Sequence, residues 1–444
     1  MSRRHLVTAA LAAAATVVPL TIAAVPGTAA GSYTPTGASF RIGHEAGEPT
    51  LGFDRNGTMY VAASSGCVTS CLGSTETVDT FTPDGRAIMS SADRGVTWQN
   101  VSPGVKGVAS THVFSLDPYV FVDETPAGNR IFDVDLTLAC SEISFSDDGG
   151  ANWITNPVAC GEPVNDHQTL FSGKPVKSPT IGYPKVVYYC FNHPSFTKCT
   201  KSLDGGLTFI PTAQINAASC SGLNGHGVTN SLGWIFLPMG NCSSPTLAIS
   251  KDEGDTWQVV NVRPTSGVTG DPSVAVDSAD NLYYVWEEYP SRLPKLTVSR
   301  NSGATWSTPV NVAPAGVQGT NLATIDVGSP GNVAIAYYGT TGNPNSASSR
   351  WHGYLTAATG LLTTAPSYYS VTVNNTANPL KVNYCGPARC GRVLDFIDVE
   401  IAPDGTPWGA YVDACLAACE ASGVESIHDN DGLVGTMVGG PPLR

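Results

Sequence analysis

Residues 250–257 read SKDEGDTW, and four related octets stand elsewhere in this chain of 444 residues. They share the pattern S-x-[DN]-x-G-x-[TN]-[WF] and cover residues 91–98, 146–153, 202–209 and 299–306. The last aromatic residues of successive octets lie 55, 56, 48 and 49 residues apart. A step of this size is typical of one four-stranded blade of a β-propeller with its loops. The repeat therefore indicates an all-β propeller.

A strand–turn–strand pattern precedes each octet. Residues 48–62 (EPTLGFDRNGTMYVA) and residues 271–286 (DPSVAVDSADNLYYVW) alternate as half-buried strands do, and Asn56-Gly57 supplies a hairpin turn. Similar units start near residues 117, 166, 226, 321 and 395. Seven such units predict a seven-bladed β-propeller, although only five of them carry the octet. Six blades, with one unit as an inserted hairpin, is the alternative.

The two ends of the propeller are predicted to meet in the last blade. Residues 33–42 would add a strand to that blade, whose own last strand would be residues 433–438. Such closure removes the free edges of the sheets. We therefore expect residues 31–444 to form a single propeller domain.

The first thirty residues have the pattern of a signal peptide. Arg3 and Arg4 precede an uncharged run rich in Ala, Val and Leu, and residues 28–30 are small. Residues 2–6 resemble a twin-arginine signal, and an ordinary secretory signal is the alternative. No later apolar run is long enough to span a membrane. We therefore expect a secreted, extracellular protein, and a monomer.

The net charge limits the partners of the chain. It is −13 for the whole sequence and −15 once residues 1–30, with two arginines and no acid, are removed. A surface this acidic repels nucleic acid and anionic lipid, and it counts against a polyanionic substrate. An extracellular glycan or glycoconjugate is the expected partner.

All 12 cysteines lie beyond residue 30. An even number in a secreted chain predicts disulfides, and pairing of consecutive cysteines would close six short loops. A zinc site is the alternative, but it requires close thiolate pairs with matching partners.

Each residue of the octet has a structural role in a hairpin turn. The glycine suits a position of positive φ, and the Asp or Asn can accept hydrogen bonds from backbone amides two residues on. The Trp or Phe can pack between neighbouring sheets. The octet resembles the Asp-box of the sialidase superfamily, a resemblance that spans about residues 40–440 as a repeat pattern. It implies that the boxes lie at the blade periphery, away from the active face, and that their acids are poor catalytic candidates.

Chemistry in a propeller is expected at the central funnel, near the start of each innermost strand. The polar residues that begin the seven units would form a ring there, and this ring could bind a divalent cation, polarise a sugar, or hold a general acid and base. A structural role in turns is the alternative for each single carboxylate. We predict catalytic roles for Glu48 and Asp271, and substrate-binding roles for Asp117, His167 and His226. The seven units begin with Glu48, Asp117, Asp166-His167, His226, Asp271, Asn321 and Asp395.

The sialidase resemblance implies further site residues. Members of the family bind the substrate carboxylate with three arginines, the first in a Phe/Tyr-Arg-Ile-Pro stretch. Here residues 39–43 (SFRIG) resemble that stretch, with Gly43 in place of the proline and Arg41 as the candidate for substrate binding. The family also uses a tyrosine activated by a glutamate as nucleophile, and Glu288 and Tyr289 offer those residue types together.

A second group of carboxylates lies in residues 395–400 (DFIDVE). Alternation along a strand would place Asp398 and Glu400 on one face, with Arg392 preceding them as a candidate for substrate binding. Paired carboxylates at a suitable separation are what glycoside hydrolysis requires, so we predict a catalytic role for Asp398.

Three functions are compatible with these residues. The first is a sialidase-like glycoside hydrolase acting on a glycan at the funnel. The second is a non-catalytic propeller that binds glycan or protein, since a fold does not dictate a function. The third is a polysaccharide lyase in which His167, His226 and a metal neutralise a uronic carboxylate and remove a proton. No cofactor is certain, and a divalent cation at the funnel is the one that the ring could hold.

Overall fold

The structure is a computed structural model. It describes residues 33–64, 86–103, 117–136, 141–156, 165–193, 196–216, 224–240, 242–263, 267–386, 395–415 and 430–444, with the single residues 220, 393 and 419. The predicted signal peptide and Arg392 therefore lie outside the described residues. Residues 34–444 form one compact unit of seven small antiparallel sheets.

Each sheet is one blade of the propeller. The first strand, β1 (Thr36–Glu45), belongs to the seventh blade. Blade 1 consists of β2 (Thr50–Phe53), β3 (Met59–Ser64), β4 (Arg86–Ser91) and β5 (Gln99–Asn100). Blade 2 consists of β6 (Pro118–Thr125), β7 (Gly128–Leu136), β8 (Ser141–Ser146) and β9 (Ile154–Asn156). Blade 3 consists of β10 (Asp166–Gly173), β11 (Val186–His193), β12 (Phe196–Ser202) and β13 (Ile210–Ile215). Blades 4 and 5 consist of β14 (Val228–Thr229), β15 (Ile235–Met239), β16 (Thr246–Ser250) and β17 (Gln258–Asn261); and β18 (Val268–Val276), β19 (Leu282–Glu288), β20 (Leu293–Ser299) and β21 (Val310–Asn311). Blades 6 and 7 consist of β22 (Gly319–Val327), β23 (Val333–Thr340), β24 (Arg350–Thr359) and β25 (Ser367–Thr372), with β26 (Lys381–Val382) paired to β24; and β27 (Asp398–Ile401), β28 (Pro407–Asp413), β29 (Asp431–Val438) and β1.

The first strand of each blade faces the axis of the ring. Each of these strands contacts the first strand of both neighbouring blades, and the circuit is complete. The seven innermost strands are β2, β6, β10, β14, β18, β22 and β27. The prediction of seven blades is confirmed, and the six-bladed alternative is wrong.

The ring closes where the sequence pattern places the closure. The strand β1 pairs antiparallel with β29, from Thr36 opposite Val438 to Arg41 opposite Leu433. β1 is thus the outermost strand of a blade whose other three strands come from the end of the chain. Neither strand is left with an open edge toward the other.

The octets form the turns between the third and the outermost strands of blades 1 to 5. Their fifth residue is a glycine with φ between +84° and +105° in every copy. In the copy at 250–257, the Asp252 Oδ1 atom accepts a hydrogen bond from the Thr256 amide at 2.9 Å, and Ser250 Oγ accepts one from the Gly254 amide at 2.8 Å. The aspartate therefore binds the amide four residues on and not, as expected, two residues on. The Ser250 hydroxyl donates to Asp252 Oδ1 at 3.0 Å and so helps to hold the carboxylate in the turn.

The octet aromatics join neighbouring blades. Trp153 of blade 2 packs on the blade 1 cluster around Tyr60, and its indole N–H donates to the Val101 carbonyl at 2.8 Å. Trp257 of blade 4 donates to the Ala213 carbonyl of blade 3 at 3.1 Å. These turns stand at the outer rim of the propeller, at the end of the blades where the innermost strands finish.

Three disulfides join consecutive cysteines within the described residues: Cys190–Cys199, Cys220–Cys242 and Cys415–Cys419. The first links adjacent strands of blade 3. The part of the chain that the structure describes holds no helix with the length and hydropathy of a membrane span.

Candidate active site

The side chain of His167 lies at the axis of the propeller. His167 comes from β10 of blade 3; its Nδ1 is 2.8 Å from Asp271 Oδ2 of blade 5, and its Nε2 is 3.1 Å from Asp395 Oδ2 of blade 7. These three blades are not neighbours in the ring. The imidazole that reaches both carboxylates must therefore lie close to the centre, where its side chain is only 2% exposed.

Two further blades supply carboxyl groups to the same place. Glu48 of blade 1 accepts a hydrogen bond from the Asp395 amide at 3.0 Å and shares another with the Asp117 side chain of blade 2. We call Glu48, Asp117, His167, Asp271 and Asp395 the axial cluster. It joins blades 1, 2, 3, 5 and 7 at the N-terminal ends of their innermost strands.

Burial and mutual contact set the protonation of the axial cluster. Burial would lower the pKa of His167, but Asp271 and Asp395 outweigh it and raise the pKa well above its ordinary value. Burial and the neighbouring Asp117 raise the pKa of Glu48 well above its ordinary value, and burial raises that of Asp117 to about 6. At neutral pH the cluster thus holds a cationic imidazole between two carboxylates, with Glu48 protonated. Among the described residues, no group of three or more His, Cys, Asp or Glu side chains is arranged to hold a metal ion.

The backbone is bent to aim these side chains at the axis. The strands β10, β18 and β22 each carry a register shift near their N-terminal ends. His167 and Glu48 adopt left-handed φ values of 47° and 49°, which are costly for residues other than glycine. β-bulges re-aim side chains in this manner next to functional sites.

Below the axial cluster, the central channel opens toward the C-terminal ends of the innermost strands. Its volume is about 750 Å³, and the cavity is lined by innermost strands of several blades. Apolar groups such as Tyr119 and Leu170 alternate with hydroxyls such as Ser273 and Thr324. Five acids among the described residues line the channel, and three of them lie close together in its inner part: Asp326, Asp398 and Glu400.

Asp398 is held by the backbone of two blades. Its Oδ2 accepts the Leu51 amide of blade 1 at 3.0 Å, and its Oδ1 accepts the Val399 amide at 2.9 Å. Burial nevertheless raises the pKa of Asp398 to about 7. The group is therefore fixed in position and can change its protonation near neutral pH.

Glu400 lies on the same face of β27, as alternation along the strand predicts. Burial and the neighbouring Asp326 and Asp398 raise the pKa of Glu400 well above its ordinary value. Asp326 of blade 6 is hydrogen-bonded to Glu400 and accepts the Ile401 amide at 2.8 Å. Glu400 is therefore the protonated member of the pair and donates to Asp326.

His226 separates the axial cluster from the channel. Its ring meets Tyr119 edge-on with centroids 4.9 Å apart, and its Nδ1 is 3.9 Å from Asp398 Oδ1. Burial and the cationic His167 lower the pKa of His226 to about 4, so it is neutral at neutral pH. The flanking glycines were expected to admit a ligand, but a Cβ on Gly225 would lie 2.0 Å from the Pro272 carbonyl. They admit neighbouring blades instead.

The structure does not bring all the predicted site residues together. Arg41 lies on β1, the outermost strand of blade 7, where it binds Asp413 at 2.7 Å and Asp431 at 2.8 Å. It is a residue of the closing strand and lies far from the axis, because antiparallel pairing with β29 makes β1 the fourth strand from the centre of the ring.

Glu288 ends the second strand of blade 5, which is not an innermost strand, and Tyr289 begins the turn that follows. Tyr289 is 56% exposed, and Glu288 Oε2 lies 3.6 Å from Lys295 Nζ. Of the two adjacent acids Glu287 and Glu288, Glu287 is the buried one. Its side chain accepts the Ala323 amide at 2.8 Å, and burial raises the pKa of Glu287 to about 8. None of these three lines the channel.

Sequence reasoning missed Asp326 and Tyr119 as channel residues. Asp326 stands in the apolar stretch 323–327 (ATIDV), where an acid in an otherwise apolar innermost strand is a signal that could have been read. Tyr119 follows the Asp-Pro pair that opens β6 and has no comparable signal.

Comparison with known proteins returns likeness of structure alone. No protein-family model matches the sequence, and no curated protein matches it. An ancestral GH74 enzyme is 13% identical with a TM-score of 0.50, over 83% of this chain and 45% of that one. The NanB sialidase of Streptococcus pneumoniae is 12% identical with a TM-score of 0.46, over 89% and 70%. A Dyadobacter fermentans protein of unknown function is 12% identical with a TM-score of 0.45, over 92% and 98%.

These identities show the fold and nothing finer. The likeness to the GH74 enzyme agrees with the seven-bladed propeller that the seven sheets of this chain form. Since this chain spans less than half of the GH74 enzyme, that protein's activity is not transferred to it. Function has to be argued from the site.

Proposed function

We propose that the protein is a secreted glycan-processing propeller, a glycoside hydrolase whose catalytic carboxyl groups are Asp398 and Glu400. One observation carries the proposal: two buried carboxyl groups on one strand face, in different protonation states, project into a channel of about 750 Å³. Pockets of this size bind small organic ligands, and two carboxyl groups with separated pKa values suit acid/base work.

The two groups have complementary tasks. Glu400, protonated at neutral pH, would donate its proton to the glycosidic oxygen as the bond from that oxygen to the anomeric carbon breaks. Asp398, ionised above about pH 7, would take a proton from the water that attacks the anomeric carbon. The products are a reducing sugar and an alcohol. Glu400 ends ionised and Asp398 ends protonated, so a proton must return from Asp398 to Glu400 before the next turnover.

His226 and the axial cluster would support this site from above. The neutral His226 ring lies against Asp398 and Tyr119 and forms the inner end of the channel. The cationic His167 behind it favours ionisation of nearby carboxylates and holds the blades in register. His167, His226 and Asp117 are in this view positioning residues.

The test is turnover of a panel of fluorogenic glycosides, a sialoside included, by the purified protein lacking residues 1–30, with and without chelator. We expect release of the fluorophore that survives chelation and falls at least about 100-fold in D398N and in E400Q. The matched control is D404N, which removes an exposed carboxylate paired with Arg94 outside the channel and should retain turnover. Turnover that is unchanged in both channel variants would overturn the assignment, and binding without turnover would favour a non-catalytic glycan-binding propeller.

A further inference from the structure

The wall of the channel contains more acidic side chains than basic ones. The acids in its wall are Asp123, Glu124, Asp326, Asp398 and Glu400, and the cations are Arg55, Lys185 and Arg444. A substrate with a carboxylate or sulfate would need one of these three cations, or a cluster of N–H donors, to bind it.

Each cation is already directed at an acceptor of the protein. Lys185 Nζ pairs with Asp123, and Arg55 donates to the Thr125 carbonyl and to Asn129 Oδ1. Arg444 donates to the Ile401 carbonyl from Nε at 3.1 Å and from Nη2 at 2.8 Å. The positive groups therefore already serve contacts of the protein. Arg444 also lies near enough to Asp326 and Glu400 to oppose the rise of their pKa values, and the five acids of the wall outnumber its three cations.

The acids at the inner part of the wall already repel one another. Asp326 and Asp398 help to keep the proton on Glu400, because a further negative charge beside them is unfavourable. An anionic substrate would add such a charge beside these acids. The same acids, with the hydroxyls of Ser273 and Thr324, are well suited to accept hydrogen bonds from sugar hydroxyls.

We propose that the substrate is an uncharged glycan, built of hexose or pentose residues without carboxylate or sulfate groups; this inference rests on the proposed function. The apolar groups of the wall, Tyr119 and Leu170 among them, would contact the C–H faces of the sugar rings. The negative net charge of the protein also repels anionic substrates at longer distances. Sialosides and uronides are therefore excluded as good substrates.

The experiment compares matched pairs of fluorogenic glycosides that differ only at C6, a glucoside against a glucuronide and a galactoside against a galacturonide, with a sialoside alongside. For the pair that is turned over, kcat/KM for the neutral sugar should exceed that for the uronide at least about tenfold, because a like charge costs more than 1.4 kcal/mol at close range. The ratio should fall in D326N, which removes one charge of the wall and keeps its shape. The exposed D147N, which removes a charge paired with Arg130 at the outer rim, should leave the ratio unchanged.

The outcomes separate the two proposals. Turnover of the uronide or the sialoside as fast as the neutral sugar would overturn the uncharged substrate and leave the hydrolase standing. If no glycoside is turned over, the hydrolase is overturned, and ligand-observed NMR with the same sugars then decides the charge preference of the channel. In that case, equal binding of glucose- and glucuronate-containing ligands would overturn the proposed preference for uncharged glycans.

Discussion

At the scale of single residues, His167 is the group on which the centre of the molecule depends. Its two ring nitrogens reach Asp271 and Asp395 on different blades, and its side chain is almost fully buried. A buried cation of this kind is tolerated only because both partners are close, and removing it leaves two carboxylates without compensation. The histidine that the sequence suggested for substrate binding therefore has a first role in holding the ring together.

His167→Gln should lower the free energy of unfolding by about 3 kcal/mol at pH 6, since breaking a buried ion pair costs about that much. The pKa of His167 is raised in the folded state. Its contribution is therefore fully present below the ordinary value of about 6.5 and is lost as pH rises through the folded pKa. Urea denaturation at pH 6 and at alkaline pH should show the difference between the two proteins shrinking. His193→Gln in the same blade is the matched control, and a difference that does not change with pH would contradict the cationic state.

Asp398 and Glu400 make a prediction about the pH dependence of activity. Burial raises the pKa of Asp398 to about 7, and that of Glu400 is raised well above its ordinary value. If Asp398 acts as base and Glu400 as acid, kcat/KM should rise tenfold per pH unit below about pH 7 and fall again at higher pH. The profile of D404N should match that of the unchanged protein, whereas an acidic limb near pH 4 would assign the base to a solvated carboxyl group.

At the scale of elements, the octet is a turn with a hydrogen-bonded interior. The serine and the aspartate each accept an amide four residues on, and the glycine provides the left-handed φ between them. In blade 4 the turn carries a further contact. Glu253 Oε1 accepts the amides of Val176, Lys177 and Ser178 in blade 3; burial opposes ionisation, but these N–H groups outweigh it and lower the pKa of Glu253 to about 2.

Gly254 in this turn should be far less tolerant of substitution than another left-handed glycine. It has φ of 84°, and a Cβ there would lie 2.9 Å from Thr212 Cβ of blade 3. Gly57 has φ of 86°, and a Cβ there would meet nothing within 4 Å. Both variants to alanine carry the conformational cost of about 1–2 kcal/mol, and G254A should add the cost of the contact between blades. Urea denaturation measures both; an equal loss in the two variants would mean that the blades can move apart freely.

The sequence is informative about elements because each octet carries its own turn chemistry, and the aromatic steps give the blade size. The sequence is less informative about which side chains of different blades point toward one another. The alternation of Asp398 and Glu400 was readable from the strand, yet Asp326 meets them from another blade through a pairing that no local pattern encodes. The bulge that turns His167 toward the axis is equally silent in the sequence, since it depends on strands far away in the chain.

At the scale of the whole molecule, the cavity that the described residues enclose lies at the end opposite to the one expected. The starts of the innermost strands were predicted to line the site, but there the axial cluster fills the centre with side chains from five blades. The cavity begins below it, at His226 and Asp398. Among the described residues, the axial cluster occupies the axis where the innermost strands begin.

The ring as a whole depends on β1, and its removal is the last prediction. This strand covers β29 along its length, and Arg41 adds ion pairs with Asp413 and Asp431. Deleting residues 31–45 would expose the edge of β29 and open blade 7, so cooperative thermal unfolding followed by circular dichroism should be lost or shifted down by more than about 10 °C. Arg41→Ala keeps the strand and removes only partly exposed ion pairs, so it should cost no more than about 1 kcal/mol. If the deletion is as mild as R41A, the ring is held by the axial cluster and by contacts between innermost strands, and closure by the outer strand contributes little.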